Sequence, residues 1–311
     1  MGSYRVEINL NGFIKGRFDL NCLRMGYRYS PWTEREGEFY QGILCNDRVV
    51  KAVLRRQKGQ LWLSLESNSA LSSEETDWLR KRVVYCLGLE DDLSPLYELA
   101  KRDRNLQEAL KALPGYRLKA APTLYEAIIS AMLSQNCSSQ AFFSMRDRLV
   151  KTIGKREGIN DVIISAFPLP EEIQATSEEA LMQAGLYYRT KFIRGVAGQL
   201  SSGFLRQLKS ISPEEGIETL GSLKGIGDYT ARVVQIYGLR RYNLLFTDGY
   251  VQKLLGALYL GTPKPKPKEI FAFAQEKWGR WQAYALDLII AYWQSRDLKP
   301  AKLRLFEELA L

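Results

Sequence analysis

The sequence predicts an α+β protein, with an antiparallel sheet at the N-terminus followed by a larger, mostly helical, bilobed part. Two observations carry this. Within residues 1–90, apolar positions alternate with polar ones between turn-forming residues, the period of half-buried strands. From residue 91 onward they recur every three or four residues, and Ser, Thr, Asp or Pro stands where helices would begin. A chain of 311 residues buries a sizeable core and suits two or three domains, here 1–90 and 91–311.

The first strand is expected over residues 4–10, where Val6, Ile8 and Leu10 alternate with Arg5, Glu7 and Asn9. Further strands are expected at Phe39–Cys45, Val49–Arg55 and Leu61–Leu65, the last two joined by a polar turn at Gly59. Ser72-Ser-Glu-Glu75 then opens a helix carrying Trp78, Leu79, Val83 and Val84. Later helices are expected near 95–102, 106–112, 124–135, 140–153, 170–175, 178–183, 189–202, 213–220, 228–237, 249–260, 268–277 and 281–294. Thr123 and Glu126 have capping-box spacing. Residues 261–268, Gly-Thr-Pro-Lys-Pro-Lys-Pro-Lys, are expected to form an extended, solvated connector.

Composition narrows the chemistry. Lys and Arg number 44 against 35 Asp and Glu, a balance that favours polyanionic partners without proving them. Histidine is absent, which excludes Ser-His and Cys-His nucleophile pairs, His-ligated zinc and an imidazole base. The cysteines at 22, 45, 86 and 137 contain no close pair, so neither a zinc site nor a thiolate cluster is expected. Their scatter suits a reducing, cytoplasmic compartment. The charged N-terminus does not read as a signal peptide, and the most apolar stretch, 283–293, is too short for a membrane span. A soluble monomer is expected.

The most informative stretch is 213–250. Ser212, Pro213 and Glu215 give a cap, a first-turn proline and a capping carboxylate for one short helix. Gly225 and Gly227 then form a turn whose backbone tolerates positive φ and close approach by another chain. A second helix from Asp228 would present unpaired amides, a seat for phosphate. Asp248 stands at the start of a third.

Leu-Lys-Gly-Ile-Gly-Asp-Tyr-Thr-Ala (223–231), with Thr-Asp-Gly-Tyr at 247–250, resembles the signature of the helix-hairpin-helix (HhH-GPD) DNA glycosylases. In that family the hairpin clamps a DNA phosphate and the aspartate drives N-glycosidic cleavage. The resemblance implies backbone binding by Leu223, Gly225, Gly227, Tyr229 and Thr230, and catalysis by Asp248. Lys224 and Thr247 replace prolines common in the family, and neither change touches a reacting group. Bifunctional members carry a Schiff-base lysine two residues beyond the second glycine. This chain has Tyr229 there, and a phenol cannot form an imine, so a monofunctional enzyme is expected. Lys224 and Lys253 are the amines nearby.

Other segments resemble further parts of the family. Leu133–Ser139 is similar to its wedge loop, which implies that Gln135 or Asn136 fills the gap left by an everted base. Gly185-Leu-Tyr-Tyr-Arg189 matches Gly-Leu-x-Tyr-Arg, which implies contacts opposite the lesion by Tyr188 and Arg189. Residues 278–293 resemble the pocket helix of the 8-oxoguanine branch, which implies a base pocket at Trp281, Tyr284 and Leu286. Leu286 replaces the glutamine that reads oxidised guanine, and aromatic walls suit cationic alkylated purines. No cofactor, metal or Fe-S cluster is expected; a monovalent cation at the hairpin stays open. The expected activity is hydrolysis of alkylated purines of the 3-methyladenine type from double-stranded DNA. The alternatives are deaminated or oxidised bases, or a hairpin that binds DNA without catalysis.

Overall fold

A computed structural model describes residues 3–26, 29 and 31–296. Five strands, β1 (Tyr4–Asn9), β2 (Thr33–Arg35), β3 (Glu38–Cys45), β4 (Arg48–Gln57) and β5 (Gln60–Ser67), form one antiparallel sheet in the order β1-β5-β4-β3-β2. Alternation along β3 and β4 sends Phe39, Ile43, Val50, Ala52 and Leu54 to one face. There they pack with Leu79, Val83 and Val84 of α1 (Ser73–Leu87), which begins at the expected capping box of Ser72 and Glu75.

The rest is helical: α2 (Ser94–Ala100), α3 (Arg104–Ala112), α4 (Leu124–Leu133) and α5 (Ser139–Thr152) come first. A small hairpin, β6 (Arg156–Ile159) and β7 (Val162–Ser165), interrupts before α6 (Pro170–Ala175), α7 (Glu178–Gln183), α8 (Thr190–Ala197) and α9 (Ser202–Ser210). Then follow α10 (Pro213–Gly221), α11 (Asp228–Leu239), α12 (Gly249–Leu255), α13 (Pro267–Trp278) and α14 (Gln282–Ser295). Their shared core includes Ile128, Ile129, Val233, Val234, Ile236, Leu245, Leu288 and Ile289, and it recruits Cys22 and Tyr29 from the N-terminal part. Gly238 lets α11 lie against α4, since a Cβ there would meet Ala127 at 2.8 Å. Among the described residues no helix is long and apolar enough to cross a membrane.

Four details depart from the sequence expectation. The β6–β7 hairpin turns at Asn160 and Asp161, both at positive φ (49° and 61°), and covers the second face of the sheet. Gly42 admits it, because a Cβ there would lie 2.2 Å from the Ser165 carbonyl. The helix expected over 189–202 stops at Ala197, and Ser201 caps the separate α9 by accepting from Phe204 N at 3.2 Å. The helix from 249 changes to a π-turn at Gly256–Leu260. Thr123 caps α4, but the Glu126 carboxylate pairs with Arg146 in the interior instead of closing a capping box.

Candidate active site

Helix α10 begins at the capping box of Ser212 and Glu215 with Pro213 in its first turn, and buried Leu220, Leu223 and Ile226 anchor the turn that follows. Gly225 adopts φ +98°, and a Cβ there would strike Phe192 at 2.8 Å. Gly227 differs from expectation: its backbone is extended (φ −96°), and a Cβ would meet nothing within 4 Å. Its lack of a side chain therefore leaves open space at the N-terminus of α11, where first-turn amides face outward. Asp228 in that turn is paired with Arg232 at 2.8 Å.

A cavity of about 1070 Å³ opens beside this hairpin. Its lining includes Asp248, Tyr229, Tyr29, Phe142, Phe143 and Tyr250, together with Ser134, Gln135 and Asn136 of the loop after α4 and Arg24, Gly26 and Gln294. Asp248 is the N-cap of α12, its Oδ1 accepting from Val251 N at 2.8 Å. Capping and cavity lining coexist in this one half-buried carboxylate. Burial, and secondarily Asp248, pushes the Tyr229 hydroxyl up to about 12. The buried Tyr29 hydroxyl, bonded to Ser134 and Tyr229, is raised well above the ordinary phenol range, chiefly by burial. Both phenols are neutral donors at neutral pH.

The wedge loop is fastened to the hairpin. Gln135 Nε2 donates to the Gly225 carbonyl at 2.9 Å and to Thr230 Oγ1 at 2.8 Å. Gln135 is thus a brace, while Asn136 is the exposed tip, at φ +48°, a conformation Asn tolerates. Of the expected backbone-binding set, Leu223 and Thr230 are buried and Tyr229 turns its ring into the cavity. Gly225 and Gly227 remain exposed at the turn. Tyr188 is exposed, but Arg189 is buried, its guanidinium stacked on Tyr188 (4.4 Å) and donating to the Gln135 carbonyl.

The expected base pocket needs correction. Trp281, Tyr284 and Leu286 are buried, and none lines the cavity. Trp281 stacks on Tyr242 at 5.8 Å, Tyr284 donates to the Tyr116 carbonyl, and Leu286 is core. Tyr284 and Leu286 of α14 pack inward, as does Trp281 just before it; of α14 only Gln294, near its end, reaches the cavity, where its Oε1 accepts from Gly26 N at 3.0 Å. The aromatic wall comes instead from Tyr29, Phe142, Phe143 and Tyr229. Phe142 and Phe143 follow the wedge loop directly, a sequence signal that reads equally as core. Tyr29 has no local signal, since long-range folding brings it in. The lysines at 224 and 253 are exposed, and no lysine is among the described residues lining the cavity.

Residues 129–280, which hold the wedge loop, the hairpin and Asp248, match the model for HhH-GPD superfamily base excision DNA repair proteins. Residues 129–280 thus form a segment of this superfamily's type, just under half of the chain. A probable N-glycosylase/DNA lyase of Methanothermobacter thermautotrophicus is 22% identical over 86% of this chain and 91% of its own length. A DNA-3-methyladenine glycosylase of Bacillus subtilis is 26% identical over 67% of this chain and 71% of its own. The structure of a 3-methyladenine DNA-glycosylase from Archaeoglobus fulgidus carries the same fold, with a TM-score of 0.80 at 22% identity, covering 95% of this chain and 100% of that one. Within the matched stretch, Gly227 and Tyr229 of the hairpin and Asp248 all line the cavity. Among the described residues no group of three or more Cys, Asp or Glu is placed to hold a metal ion. At the hairpin, the carbonyls of Leu223 and Gly225 already accept from Ile226 N and Gln135.

Proposed function

We propose that the protein is a monofunctional DNA N-glycosylase for alkylated purines of the 3-methyladenine type, acting on a nucleotide everted from duplex DNA. The observation that carries this is the cavity in which Asp248 faces an aromatic wall and Tyr229 stands where bifunctional relatives have an amine. As the C1′–N bond breaks, the base leaves with the bonding pair and positive charge builds on the sugar. A carboxylate about 4 Å away, at an effective dielectric near 20, stabilises that charge by roughly 4 kcal/mol, about a thousandfold in rate. Water adds to C1′ as hydroxyl and gives up its second proton to solvent, leaving an abasic site. An alkylated purine is already cationic, so it is a good leaving group and is attracted to electron-rich rings. The hairpin holds the strand through main-chain amides, and no step is assigned to a cation.

A second reading, a glycosylase for deaminated or oxidised bases, draws on the polar groups of the same cavity, since Gln294 and the hydroxyls of Tyr29 and Ser134 could pair with a neutral base. A panel of duplexes, each with one lesion, separates the two by the free base released. Asp248→Asn is expected to cut release about a thousandfold while duplex affinity persists. Retained activity in that variant contradicts the catalytic role of Asp248, and a borohydride-trapped protein–DNA adduct in good yield contradicts the monofunctional assignment.

A further inference from the structure

Helix α1 has two working faces. Leu79, Val83, Val84 and Leu87 pack into the core of the sheet, while Trp78, Lys81, Arg82 and Tyr85, spaced i, i+3, i+4 and i+7, line a cavity of about 530 Å³. Lys209 of α9 and Arg241, just after α11, line it too, and Glu90 is the one carboxylate in its wall. Of the four cations only Lys81 has a carboxylate within ion-pair distance among the described residues, Asp77 at 2.7 Å. Arg82 lies over the Trp78 ring at 4.9 Å. Arg241 is fixed by the carbonyls of Leu208, Ile211 and Ser212 and by the Gln235 side chain, all of them neutral acceptors. The cavity therefore holds an uncompensated positive charge, which an anionic occupant would complement.

Trp78, 39% exposed, and Thr123 also line a second cavity of about 470 Å³, together with half-buried Leu44, Tyr125 and Leu169 and with Glu74 and Glu75. One groove thus has a cationic half and a more apolar half, and they meet at an exposed tryptophan. The groove is remote from the Asp248 cavity. Helix α4 begins in the groove at Leu124 and ends beside Ser134 of that cavity; α11 begins at the cavity with Tyr229 and ends in the groove with Gly238 and Leu239. Ten helical residues set the two sites about 15 Å apart.

We propose that this groove docks an acidic peptide segment of another protein, with carboxylates among Lys81, Arg82, Lys209 and Arg241 and an apolar side chain beside Trp78. A nucleic-acid backbone would use the cations but would bring Glu74 and Glu75 against its phosphates and leave the apolar half unused. Tryptophan and arginine, by contrast, are the usual anchors of protein interfaces. Because the groove and the Asp248 cavity lie at opposite ends of α4 and α11, peptide and duplex bind together. The site goes beyond the glycosylase reading and does not depend on it.

The test titrates the full chain, already loaded with a duplex carrying a tetrahydrofuran abasic analogue, into the fluorescein-labelled peptide Glu-Glu-Leu-Glu-Glu-Glu and follows anisotropy. Saturable binding is expected, weaker for the peptide with Ser in place of Leu and absent for Lys-Lys-Leu-Lys-Lys-Lys. Lys209→Glu and Trp78→Ala should each weaken it about tenfold. Lys209→Glu alters an exposed side chain and should keep the wild-type unfolding temperature and duplex affinity. No saturable binding, or binding unchanged in both variants, overturns the proposal. Displacement of the peptide by a short oligothymidylate of matched charge overturns it as well, because nucleic acid is then the occupant. A protein that takes up the peptide but no duplex keeps the groove and removes the glycosylase reading.

Discussion

At the scale of single residues, the cavity depends on phenols that must stay neutral. The Tyr229 hydroxyl, pushed up to about 12 mainly by burial, is bonded to Tyr29 and lies near Asp248. A phenol whose folded value is raised contributes stability that is intact below its ordinary value near 10 and lost as pH rises through about 12. Thermal unfolding between pH 9 and 12 should therefore show a loss that is smaller in Tyr229→Phe, whose ring cannot ionise. An equal loss in both proteins would remove Tyr229 from the account. At pH 7 the same variant should cost about 1 kcal/mol, the net worth of one hydrogen bond.

At the scale of elements, caps and close approaches set where segments sit. Glu75 closes the box at the start of α1 and also binds Arg48 of β4, so one carboxylate pins helix to sheet. Its hydrogen bond to the Ser72 backbone, and then Arg48, holds it down to about 2. A lowered carboxylate contributes stability that is present above its ordinary value of 4.5 and lost as pH falls through about 2. Glu75→Gln should flatten that acid limb in a denaturant series; an unchanged limb would mean other carboxylates dominate. The wedge loop shows the same economy, since a single amide from Gln135 registers α4 against the hairpin.

At the scale of the molecule, the cavity is closed by parts far apart in sequence. Arg24, Gly26 and Tyr29 come from the N-terminal part, and Asp248 and Gln294 from the far end of the chain. Two buried cations hold that N-terminal segment down. Arg117, 1% exposed, donates to the carbonyls of Lys15, Arg17, Gly88 and Asp91, and Lys119 donates to those of Cys22 and Met25. Arg117→Met leaves four carbonyls without this donor and should cost about 3 kcal/mol or more in chemical unfolding. Lesion affinity should weaken with it, because the N-terminal segment that lends Arg24, Gly26 and Tyr29 to the cavity loses its support. A variant of wild-type stability would show that the guanidinium is dispensable.

Local information in the sequence was enough for the α+β division, the four longer strands of the sheet, most helices, the hairpin between α10 and α11, and Asp248 as both cap and candidate acid. Each is written in neighbouring residues: a period of two or of 3.6, a Ser-Pro-x-Glu start, glycines at a turn. The β6–β7 hairpin was not read from the sequence: Asn160 and Asp161 are turn formers, but the short apolar runs beside them carry little periodicity. Which residues wall the cavity was not legible. Tyr29 and Phe142 line it while Trp281 and Tyr284 turn away, and all four are aromatics with comparable sequence surroundings. Only packing decides between them, because whether a ring faces core or cavity depends on the elements that arrive from elsewhere in the chain. Tertiary structure likewise made Gln135 a brace, buried Arg189 and left Tyr187 strained and exposed, through hydrogen bonds and backbone geometry that no local pattern encodes.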